Sequence, residues 1–136
     1  MNEGTSTQGA SKLVKNLMST DKSTRQAALG QVMNMRNRQA LDAVEEAIKH
    51  LTGKQHIEFY RPGGMRMGSP QQAYDQILQL AREGKLSDDP ALIQSLIPGV
   101  AFLNQDLMTE LARVDANALA IYQLLGVQMQ LKLQVG

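Results

Sequence analysis

Residues 99–136 read GVAFLNQDLMTELARVDANALAIYQLLGVQMQLKLQVG, and the parsing of this stretch decides the fold. It follows on Pro98-Gly99, a helix-breaking pair. Leu103, Leu107, Leu111, Val114, Ala118, Ile121 and Leu125 recur at steps of three and four, which lines one face of a helix. After Gly126 the period changes. Val127, Met129, Leu131, Leu133 and Val135 alternate with Gln128, Gln130, Lys132 and Gln134, as in a strand with one dry and one wet face. Propensity argues the other way, because Gln, Met, Leu and Lys are good helix formers. A helix continued through this segment would scatter its apolar residues around the circumference and would need burial on most sides. Alternation and the glycine together favour the strand.

The chain upstream reads as material packed around this segment. Residues 1–10 are polar and small and should form a mobile arm, which leaves 11–136 as a single helical domain. Leu13, Val14, Leu17 and Met18 fall on one side of a short amphipathic turn. Ser23 and Gln26 have capping-box spacing and should start a long helix that runs to about Leu51. Its stripe is Leu29, Val32, Met33, Ala40, Leu41, Val44, Ile48 and Leu51. Arg38–Asp42 and Glu45–Lys49 are four-residue ion pairs on its surface. Lys49 and His50 suit the negative end of the dipole, and Gly53 supplies a left-handed stop.

Gly53 to Ser69 is irregular, with a short extended piece at Ile57, Phe59 and Tyr60 and a Gly/Pro loop over Arg61 to Gly68. Ser69-Pro70-Gln71-Gln72 opens another helix, buried through Tyr74, Ile77, Leu78 and Ala81 and ended at Gly84. Asp88-Asp89-Pro90 opens a further one, which should stop at Pro98-Gly99. The expected fold is mainly all-α: a bundle of four to five helices with a central Gly/Pro loop and a short C-terminal β-strand.

Composition excludes several function classes. Across 136 residues the net charge is +1, so no global field draws in nucleic acid or anionic membrane. No Cys is present, hence no disulfide framework and no thiolate chemistry. No apolar run reaches the length of a membrane span. The N-terminal residues lack a basic region followed by an apolar one. The default location is therefore cytoplasmic, or exported if a leader has been removed.

Motifs that carry chemistry are few. Met33-Asn34-Met35 and Met65-Arg66-Met67, with His50 and His56, have the soft ligands that hold Cu(I). Core and loop packing explain these methionines better, and neither a metal nor a cofactor is expected. Lys54, Arg61 and Arg66 surround the Gly-rich loop, where Phe59 and Tyr60 could stack on a base. That gives an alternative reading as a nucleic-acid-binding adaptor. No general base is tied by motif to a nucleophile, so catalysis is not expected.

Ser87 to Gln130, with Asp89-Pro90, then Leu103, Leu107 and Leu111 and the Gln-rich end of Gln123, Gln128 and Gln130, resembles the C-terminal helical part of minor subunits of conjugative type IV secretion pili. The resemblance implies an exported adhesion or assembly subunit without enzymatic activity. The sequence expectation is a non-enzymatic structural protein that binds copies of itself or a protein partner. It would serve in a secretion apparatus, pilus or phage particle. The expected contacts are Val127, Met129, Leu131, Leu133 and Val135, with Phe59, Tyr60, Met65 and Met67 second.

Overall fold

A computed structural model describes residues 12–59, 70–100 and 104–135, with the side chains of Pro70 and residues 98–100 left aside. The expected arm over 1–10 and the Gly/Pro loop over 61–68 lie outside the described residues. All regular structure among the described residues is helical. After α1 (12–17) come α2 (Lys22–Met35), α3 (Arg38–Thr52), α4 (Pro70–Arg82), α5 (Pro90–Val100), α6 (Gln105–Val114) and α7 (Ala116–Val135).

The C-terminal segment is the main correction. Residues 127–135 are not a strand: α7 passes through Gly126 without a break and spans 20 residues, roughly 30 Å at a helical rise. Every residue from Ala118 to Gln128 is buried, so this helix has no solvated face over three turns. It packs against α2, α3, α5 and α6, with its largest interface on α3. Burial on all sides as far as Gln128 removes the amphipathic period there, and beyond it Lys132, Leu133 and Gln134 are exposed, so the alternation after Gly126 follows neither face of a strand. The break comes earlier. Asp115 is extended (φ −169°, ψ 129°) between α6 and α7, and its Oδ1 accepts from the Asn117 amide at 3.2 Å. Leu107, Leu111, Ala118, Ile121 and Leu125 are buried as the periodicity predicts, but they belong to two helices.

The long helix expected from Ser23 to Leu51 is also two helices. Arg36 is left-handed (φ 50°) and closes α2, its amide donating to Val32 O. Asn37 then opens α3 by accepting from the Ala40 amide at 2.9 Å. No Gly or Pro marks this turn; a side-chain cap does. Asp21, rather than Ser23, caps α2, accepting from the Thr24 amide at 2.9 Å and the Thr24 hydroxyl at 2.6 Å. Those two bonds, the hydroxyl first, hold the Asp21 carboxyl below the usual range.

α3 presents Ala40, Leu41, Ala43, Val44, Ala47 and Ile48 to the core. Three of the six are alanine, which lets a neighbouring helix axis approach closely. The helix stops at Gly53 (φ 72°), as expected. The Arg38–Asp42 pair forms at 3.3 Å across an exposed surface, and His50 meets Glu46 at 3.3 Å, whereas the expected partner of Lys49, Glu45, faces α7.

α4 ends at Gly84 (φ 72°), where Lys85 donates to Leu80 O at 2.8 Å and Gly84 to Ala81 O at 3.0 Å. This paired 6→1 and 5→2 bonding satisfies the last carbonyls. Asp89 caps α5 through the Leu92 amide at 3.2 Å. α5 then continues past the expected stop to Val100. Pro98 sits in the last turn, where a missing N–H forfeits a single bond.

Candidate functional site

Two buried polar stations on α7 organise the interior, and neither carries a sequence signature. At the first, Gln128 (2% exposed) accepts from Gln94 Nε2 of α5 at 2.6 Å and donates to Glu45 Oε2 of α3 at 3.0 Å. Gln94, fully buried, also donates to Leu125 O at 3.1 Å. Three helices are thereby joined by a donor-to-acceptor relay that ends on a carboxylate. At the second, Arg25 of α2 (3% exposed) donates through Nε to Gln123 Oε1 at 3.1 Å and through Nη1 to Ser19 O at 3.0 Å. Burial pulls the Arg25 guanidinium below its ordinary pKa, with Asp21 opposing.

The first station opens to the surface. Glu45, Ile57, Glu58, Phe59, Ala91, Gln128 and Lys132 line a groove of about 620 Å³. α3, the segment after it, α5 and the C-terminal half of α7 each contribute a wall. Ile57 and Phe59 pack partly buried against the core and give the groove an apolar side. Lys132 and Glu58 hold no ion pair among the described residues, although both line the same depression. The groove therefore offers one apolar wall, a cation, an exposed acid and an inner carboxylate fixed by an amide.

The structure divides the contact residues expected from sequence. Val127 and Leu131 are fully buried core residues, so they are not exposed to a partner. Met129 and Val135 are partly buried against the core, and Leu133 is 64% exposed. Phe59 lies in the groove with Lys132, three residues beyond Met129 in the same helix. Tyr60, Met65 and Met67 lie outside the described residues, as do Arg61 and Arg66 of the nucleic-acid reading. Lys54 is half-buried at the end of α3, in a shallow depression with Glu46, Lys49, His50, Gly53 and Gln55.

Gln94, Gln123, Gln128 and Arg25 were not expected as interior residues. One of them had a signal in its position: Gln128 occurs in the segment that as a helix would need burial on most sides. Among the described residues no group of three or more His, Asp or Glu side chains is placed to hold a metal ion. No helix among them is long and apolar enough to cross a membrane. No protein-family model matches the chain, and no curated protein or solved structure matches it either.

Proposed function

We propose that this chain is a non-enzymatic assembly protein that associates with copies of itself or with a protein partner. It would act as a component of a larger machine such as a secretion apparatus, pilus or phage particle. The observation that supports the reading is the change of character along α7. The helix is enclosed from Ala118 to Gln128, then presents Lys132 to the groove and Leu133 to solvent. A leucine 64% exposed in the last turns of this helix leaves apolar area that association would cover. Ile57 and Phe59 give the groove that Lys132 lines an apolar side of its own.

Sedimentation velocity on the full chain and on Leu133→Glu tests the reading. Leu133 makes no core contact in the single chain, so the variant should keep the helix content of the parent. The expected result is an oligomer for the parent and a smaller species for the variant. Two monomers of equal stability would remove the proposal.

A further inference from the structure

A second depression, of about 330 Å³, lies on another part of the molecule, between α2, α6 and α7. Its charge is one-sided. Lys22 and Arg113 line it, the remaining lining is amide, hydroxyl or apolar, and no carboxylate takes part. Arg113 Nη1 meets Glu110 at 3.1 Å, which leaves its other N–H groups for a second partner. Lys22, Gln26 and Gln105 hold no side-chain hydrogen bond or ion pair among the described residues.

The inner wall is Gln123, only 6% exposed, and its orientation is dictated from behind. Arg25 is a donor and nothing else, so the Gln123 oxygen must face it. The amide nitrogen is thereby turned the other way, where its partner is Met108 Sδ at 3.6 Å. A thioether is a weak acceptor, and the NH₂ group has two protons to place. A nine-tenths-buried donor group is thus left under-satisfied on a cavity wall, with a buried cation behind it and two more cations beside it. In a buried setting such a shortfall is unfavourable, and an oxyanion relieves it.

We infer that this pocket binds a small oxyanion, the phosphate or carboxylate group of a compact molecule. The Gln123 amide is its inner donor, and Lys22 and Arg113 are its outer cations. Met108 and Leu119 supply an apolar wall for a short organic body.

Calorimetric titration of the full chain with inorganic phosphate, phenyl phosphate and benzoate, at matched ionic strength, tests the inference. Saturable binding on the order of millimolar or tighter is expected for at least one of them. Saturation by inorganic phosphate assigns the free ion, and saturation by the aromatic anions alone assigns an organic one. Gln123→Glu is the decisive variant. It keeps an acceptor for Arg25 and should fold, yet it replaces the donor with a carboxylate and should weaken binding about tenfold or more. Lys22→Gln combined with Arg113→Gln changes only exposed positions and should weaken it comparably. Failure of all three anions to bind the parent, or unchanged affinity in Gln123→Glu and in the double variant, would overturn the inference.

Discussion

Gln94 on α5 and Gln128 on α7, both almost wholly buried at the base of the groove, are joined side chain to side chain at 2.6 Å. Because Gln128 also donates to Glu45, removing it breaks two side-chain bonds at once and leaves the Gln94 amide with Leu125 O and a half-buried carboxylate without its amide donor. Gln128→Leu should therefore destabilise the fold by about 2–4 kcal/mol, more than one average hydrogen bond. Glu45→Gln keeps an acceptor for Gln128 and should cost less than about 1 kcal/mol. Urea denaturation of the two variants measures the difference.

Arg25 reaches two acceptors, on α7 and on the α1–α2 connection, with one planar group. Lysine retains the charge but cannot present a fork to both. Arg25→Lys is expected to lower stability by about 1–3 kcal/mol, visible as a lower melting temperature at unchanged helix content.

Tyr122 is fully buried and its hydroxyl lacks a well-formed hydrogen bond. Burial pushes the phenol up to about 12, and the Asn104 backbone pulls more weakly in the opposite direction. The folded chain thus keeps a proton that the unfolded chain, titrating near 10, gives up. This contribution is fully present below pH 10 and is lost as pH rises towards 12, at up to about 1.4 kcal/mol per pH unit. Tyr122→Phe should be neutral or stabilising by about 1 kcal/mol at pH 7. It should also show a shallower stability loss between pH 10 and 12 in parallel denaturation curves.

Gly30 lies exposed within α2, and a methyl group built on it meets nothing within 4 Å. Gly30→Ala should stabilise the protein by about 0.5–1 kcal/mol. At Gly53 and Gly84, also open but at φ 72°, the same change should be unfavourable because the backbone is left-handed. Thermal melts of the three alanine variants should separate one gain from two losses.

What could be read from the sequence depended on how local the cause was. The stops at Gly53 and Gly84 and the start at Asp89-Pro90 were legible, since each is set by one residue's backbone preference or cap within four positions. The turn at Arg36-Asn37 was not, because a non-glycine in the left-handed region gives no compositional cue. Val127 to Val135 misled for a different reason. Alternation indicates a strand only when one face is wet, and here Gln128 is as enclosed as Val127. Whether a glutamine faces water or another glutamine is decided by helices far away in sequence. Of the residues that line the candidate groove, Phe59 alone is among the contacts expected from sequence, whereas Glu45, Gln128 and Lys132 required tertiary structure.

α7 stands at the centre of the packing although it follows every other described helix in the chain. During synthesis α2, α3, α5 and α6 all leave the ribosome before the element that covers their apolar sides. The buried stripe of α3, from Ala40 to Ile48, has to wait until translation has passed through α7, roughly several seconds at ordinary elongation rates. The α3 stripe thus stays without its main cover until α7 has emerged. A premature stop before Ala116 would leave α4, α5 and α6 still able to pack on one another but the apolar stripe of α3 uncovered, a surface for chaperones and proteases.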